Sequence, residues 1–263
     1  MAMSNIRLRI ISAIFIMFPI IFLTWYNIEF AKFFIYFFAI IISFELLEIN
    51  ERKIKIILSL STSVVLYITF ETFASKLIQN NYFNFISAGS ITIFFIHHIY
   101  NKKYKYNFFL QNIFCLLFAY LISIYIFLTI SIEKNIYICI LLIASTSDTF
   151  AFIIGKLFGK KQLAKNISPG KTVEGAIAGF IFSTILGIIV FTYWIQISML
   201  QSILYSIIFA VTTQLGDLVF SKIKRNRNIK DYGSIFPGHG GLLDRVDSGL
   251  GLFIISYFIF LSG

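Results

Sequence analysis

Apolar residues fill this chain in long blocks, and short polar segments punctuate them. A helix that crosses a bilayer needs about 20 mostly apolar residues. On that measure nine spans are expected, at 10–26, 30–47, 56–74, 82–99, 107–130, 136–155, 174–194, 199–220 and 248–262. The fifth is long enough to tilt, and the ninth is the shortest. Arg7 and Arg9 precede the first block as they would in a signal peptide, but no small-residue cleavage site follows, so a retained helix is expected. The pattern predicts an all-α polytopic membrane protein with about nine transmembrane helices.

Composition agrees. The 263 residues are 58% hydrophobic and 13% charged, where a soluble domain carries about 25% charged residues. The mean hydropathy is +0.86. One membrane domain over 1–263 is expected, with N-terminal helices in 1–135 and the polar chemistry in 136–263. The net charge of +10 does not point to nucleic acid, because the cations lie in short loops where they set topology and meet anionic lipid. With the N-terminus in the cytoplasm, 19 of the 22 Lys and Arg fall in inside segments, and only Lys32, Lys76 and Lys134 fall outside. This alternation puts the C-terminus outside and the loops 156–175 and 221–247 in the cytoplasm. Cys115 and Cys139 lie in apolar runs and read as packing residues.

Acids inside membrane helices are costly and are functional candidates by default. Asp148 lies in the polar patch Ala144-Ser145-Thr146-Ser147-Asp148-Thr149 of the sixth helix. Asp217 stands near the end of the eighth. Asp244 and Asp247 are three apart and share a helix face, as do Glu45 and Glu48, whose bland reading is an interfacial helix end. Acids flanking a cationic segment call for a divalent cation with oxygen ligands, although Asp244 has Arg245 beside it as a competing partner. The loop 156–175 contains Gly170-Lys171-Thr172, but a P-loop needs a glycine where Lys165 stands. Ser168-Pro169 before Glu174 reads as a helix start with polar caps. Gly155/Gly159 and Gly175/Gly179 have the small-xxx-small spacing of packed helices. His97 and His98 read as interfacial. His239 sits between glycines, where a phosphate contact and a turn role are both open.

The segment Ser221-x-x-Lys224-Arg225-x-x-x-x-Lys230-Asp231-x-Gly233-x-x-x-Pro237-Gly238-His239-Gly240-Gly241-x-x-Asp244-Arg245-x-Asp247 resembles the signature of phosphatidate cytidylyltransferases, also called CDP-diacylglycerol synthases. Gly216-Asp217-Leu218 fits as well, as does Ser147-Asp148 through Ile167-Ser168-Pro169-x-Lys171-Thr172-x-Glu174-Gly175. The likeness covers most of 140–263. Val173 stands where the family usually has tryptophan, and Gly170 replaces a commonly basic residue.

The resemblance implies an enzyme of the bacterial inner membrane, with its active site facing the cytoplasm. It would transfer the cytidylyl group of CTP to phosphatidate, giving CDP-diacylglycerol and pyrophosphate. It implies Mg²⁺, leaves a second cation open, and implies a homodimer. On motif match, Asp217 and Asp244 hold the metal, assisted by Asp247 and Asp148. Lys224, Arg225 and Lys230 hold phosphates. Ser168, Lys171, Thr172, Gly238, His239, Gly240, Gly241 and Arg245 contact substrate. Competing readings are a CTP-dependent polyprenol or phytol kinase and a non-enzymatic anion transporter. The Asp-Gly-x-x-Ala-Arg start of CDP-alcohol phosphotransferases is not found.

Overall fold

A computed structural model describes residues 28–49, 51–77, 108–233 and 240–261. The spans expected at 10–26 and 82–99 lie outside the described residues, as do Arg7, Arg9, His97, His98, Lys102, Lys103, Lys105, Gly238 and His239. The described chain is mostly helical, in the order α1 (Ile28–Leu46), α2 (Arg52–Leu77), α3 (Phe108–Ile132), α4 (Lys134–Phe158), β1 (Gln162–Ala164), β2 (Ser168–Thr172), α5 (Val173–Val190), α6 (Met199–Asn226) and α7 (Leu243–Ser256). Single π-helical turns, Phe191–Ile195 and Tyr257–Leu261, end α5 and α7. Seven of the nine expected spans thus have a helix within a few residues of their bounds. Among the described residues, three helical stretches are long and apolar enough to cross a membrane: Lys134–Phe158, Val173–Ile195 and Met199–Asn226.

The chain folds into two compact units. The first comprises residues up to Ile132 together with Asp231–Arg245; the second comprises Glu133–Lys230 with Val246–Leu261. In the first, α1 packs on α2 and α3. Its buried stripe Ala31, Ile35, Ala39, Ile42 and Leu46 repeats every three or four residues, the spacing of one helix face. Ser43 and Thr62 meet through their hydroxyls at 3.3 Å. The chain leaving α1 is tied down where the Glu48 N–H donates to Asn112 Oδ1 at 2.9 Å.

In the second unit α4 lies along α5, and α5 along α6. Lipid tails are as apolar as leucine, so burial from water does not hold such helices together; close packing and interhelical hydrogen bonds do. A Cβ on Gly179 would come within 2.7 Å of the Ser147 carbonyl, and one on Gly155 within 2.8 Å of Thr172 Oγ1. The small-xxx-small pairs of the sequence are therefore packing positions. Just beyond them Phe150 and Phe182 stack with ring centroids 3.9 Å apart. Gln214 Nε2 donates to the Ala176 carbonyl at 2.7 Å, linking α6 to α5. At the far ends of these helices Phe191, Tyr205, Phe209 and Phe260 form an aromatic cluster.

Two local features depart from the expected pattern. The segment 156–175 is not one polar loop between helices: α4 runs on to Phe158, and β1 and β2 pair as an antiparallel hairpin before α5 begins. Pro169 lies in β2, where an edge position tolerates its missing N–H. The segment 221–247 is likewise shorter than expected as a loop, because α6 continues to Asn226 and α7 starts at Leu243. Lysine and arginine are good helix formers, and Lys224 and Arg225 in the last turn complement the helix dipole. Ser198 and Gln201 close a capping box at the start of α6.

Gly179→Leu places a side chain against backbone in the α4–α5 seam and is expected to destabilise by about 1–3 kcal/mol. Gly170, which has no atom within 4 Å of a built Cβ, is expected to accept alanine with no measurable change. Thermal unfolding of the two detergent-solubilised variants checks this contrast.

Candidate active site

The second unit contains a cavity of about 220 Å³. Its walls come from three helices and the hairpin: Ser147, Asp148, Ala151 and Phe152 of α4; Leu163 and Gly170–Thr172 of the hairpin; Ala176 of α5; and Gln214, Asp217 and Leu218 of α6. Thr172 builds this wall and also caps α5, since its hydroxyl accepts the Gly175 N–H at 3.1 Å. Glu174 anchors the hairpin's other end by accepting the Lys160 N–H at 3.0 Å. The turn of chain that carries Lys171 is thus fixed at both sides.

Inside the cavity Lys171 forms an ion pair with Asp217. Asp148 accepts a hydrogen bond from Ser248 Oγ at 2.8 Å. Asp247 is buried; its Oδ2 faces Lys224 Nζ at 3.2 Å, and its Oδ1 accepts the Ser248 N–H at 2.9 Å. Burial raises the pKa of the Asp247 carboxyl, Lys224 opposes the rise, and the charges of Asp217 and Asp148 add to it. Three of the sequence-predicted acids therefore share one electrostatic neighbourhood.

Asp148 and Asp217 offer the hard oxygen donors that suit Mg²⁺, an ion that keeps several waters and takes one or two carboxylates. Among the described residues no set of three or more His, Cys, Asp or Glu is gathered as a metal cage. Asp247 has both oxygens engaged by Lys224 and its own helix start, which suits a positioning role.

Of the predicted phosphate cations, Arg225 directs Nε to the Ile167 carbonyl and Nη1 to the Ile229 carbonyl, both at 3.0 Å, so it buttresses the hairpin turn. Lys230 is exposed beyond the end of α6. Ser168 begins β2 and is half-buried.

Asp244 and Arg245 belong to the first unit. Asp244 Oδ2 accepts the Tyr232 N–H at 2.8 Å and the Gly241 N–H at 2.9 Å. Gly240 has φ +83°, a left-handed conformation that favours glycine. The Gly241 N–H, read from the sequence as a substrate contact, is donated to Asp244 in this structure. Arg245 is exposed.

The sequence reading missed the depth of Glu45's involvement. It is 6% exposed, and its two oxygens accept the Leu242 and Leu243 N–H groups at 2.8 and 2.7 Å. An acid one turn inside an apolar helix was the available signal, but its partners lie 197 and 198 residues away.

A mostly helical membrane protein with a lysine–carboxylate cavity beside a hairpin is the class that this geometry defines. The family model described as "Cytidylyltransferase family" matches residues 7–262, and the chain belongs to that family. It is 34% identical over 220 residues to a phosphatidate cytidylyltransferase of Staphylococcus haemolyticus, covering 82% of this chain and 84% of that one. It is 41% identical over 115 residues to a phosphatidate cytidylyltransferase of Bacillus subtilis, 43% of each chain. Over 126 residues it is 40% identical to one from Helicobacter pylori strain J99, 46% of this chain and 47% of that one. The last two matches span less than half of either chain.

The two lysine–aspartate pairs differ in burial, and removing their cations should separate them. Lys171 and Asp217 are each 27% exposed, so Lys171→Met is expected to change stability by about 1 kcal/mol or less. Lys224→Met leaves Asp247 buried without its cation and is expected to cost about 3 kcal/mol. Denaturation midpoints of both variants test the difference.

Proposed function

We propose that this protein is a phosphatidate cytidylyltransferase, producing CDP-diacylglycerol and pyrophosphate from CTP and phosphatidate. The observation that carries the reading is the cavity in which Lys171, Asp217 and Asp148 converge, within a chain matched by the family model over nearly its whole length. The phosphatidate phosphate is already an anionic nucleophile, so no strong general base is required. One of its oxygens attacks the α-phosphorus of CTP. A new P–O bond forms as the bond to the oxygen bridging the α- and β-phosphorus breaks, and that oxygen leaves with the bonding pair on pyrophosphate. The work left to the protein is positioning and charge stabilisation.

Lys171 would turn from Asp217 to a phosphate oxygen, supplying a compact positive charge. In the cavity Asp217 and Asp148 are the residues proposed to hold Mg²⁺, with Asp244 and Asp247 carried by motif match; the ion would screen the repulsion between phosphate groups. Thr172 borders the same pocket, and Ser168, at the start of the same strand, is carried by motif match. Asp247 and Lys224 fix the start of α7, and Arg225 holds the hairpin turn. Lys230 and Arg245, both exposed, are carried as phosphate contacts by motif match. Gly238 and His239 are carried in the proposal by motif match alone.

The excess of Lys and Arg in alternate loops supports a cytoplasmic N-terminus, a C-terminus outside and an active site on the cytoplasmic face. Family resemblance supports the bacterial inner membrane and a homodimer.

The test is incubation of purified protein with α-labelled CTP, phosphatidate and Mg²⁺. Label is expected in the lipid. Transfer of label from γ-labelled CTP alone would make the protein a lipid kinase, and no transfer of either would refute the reading. Asp217→Asn should lower turnover on the order of 10²-fold or more while the protein still inserts and folds; near-normal turnover at limiting Mg²⁺ would remove Asp217 from the site.

A further inference from the structure

The chain entering α7 presents three consecutive backbone N–H groups, those of Gly241, Leu242 and Leu243. Such groups at a helix start have no partner within the helix. Here all three are met by carboxylates: Gly241 by Asp244, and Leu242 and Leu243 by the two oxygens of Glu45. The Glu45 carboxylate sits in a recess with no room to spare. A Cβ on Gly233 would stand 2.8 Å from Glu45 Oε1, and one on Gly241 would overlap the carboxylate. Hydrogen bonds to an ionised acceptor are roughly twice as strong as neutral ones, and a buried carboxylate that lost them would be left uncompensated.

We infer that Glu45 is a positioning residue, a carboxylate clamp that sets the turn carrying Asp244 and Arg245. Glutamine keeps the shape of Glu45 but turns one oxygen into a donor, which faces an N–H instead of accepting from it. Gly241→Ala retains the charge and displaces the carboxylate by bulk. The two substitutions disturb one contact by independent means. The consequence for turnover rests on the proposed activity; the clamp itself does not.

Two measurements on the full chain in lipid nanodiscs test it. The first is deuterium uptake across peptide 240–246. In the wild type the Leu242 and Leu243 amides should exchange slowly, and in Glu45→Gln and Gly241→Ala they should exchange faster. Unprotected exchange in the wild type, or unchanged uptake in a folded variant, overturns the clamp. The second is steady-state kinetics per folded protein. KM for CTP should rise about tenfold in Glu45→Gln, the equivalent of one charge-assisted hydrogen bond, with Glu51→Gln as the exposed control. A change confined to kcat, with KM unaltered, reduces Glu45 to a purely structural part. Wild-type protein that incorporates no label into lipid defeats the proposed activity and leaves the exchange result standing.

Discussion

A carboxylate placed among apolar side chains must find donors, because an ionised acid left without them costs far more than any packing contact returns. That constraint organises both units of this chain. Asp217 is met by Lys171, Asp247 by Lys224, Asp148 by Ser248, and Asp244 and Glu45 by backbone N–H groups. The answers differ in kind. The partly exposed Lys171 can be exchanged for another ligand, whereas the buried Lys224 holds its acid in place. Where backbone N–H groups answer, the acid is fixed and the main chain is fixed with it. The cavity uses the first kind, and the glycine-rich turn before α7 uses the second.

This division clarifies the long polar signature that dominates the sequence. Read along the chain, its cations and glycines look like a single phosphate-binding loop. Folded, the stretch is of mixed character. Lys224 and Arg225 are helical and face Asp247 and the hairpin turn; Gly233 and Gly241 make room for Glu45. Positions within one motif therefore also serve the packing of the chain around it. The family match and the cavity together support cytidylyl transfer, with Lys171 and Asp217 at its centre.

Apolar blocks long enough to span a bilayer could be read directly from the sequence, and the described helices follow them closely. The hairpin could not. Its strands are three and five residues long, contain Pro169 and Gly170, and show no alternation that periodicity could detect. The onward run of α6 was hidden because charged residues were read as loop, although they are good helix formers. Glu45 was visible as an acid in an apolar helix, but nothing local indicates a partner almost 200 residues away. Of the site itself, Asp148, Lys171 and Asp217 were named from the sequence, whereas their pairing with one another and with Ser248 depends on packing.

The hairpin wall has one consequence for how such a site can change over time. Thr172 closes a helix end and is crowded by Gly155, Gly159 and Gly175, so altering it disturbs the fold. Two positions earlier, Gly170 lines the same cavity and faces open space. Variation can accumulate there at little structural cost. The pocket's shape can therefore be retuned at a residue that the fold itself leaves unconstrained.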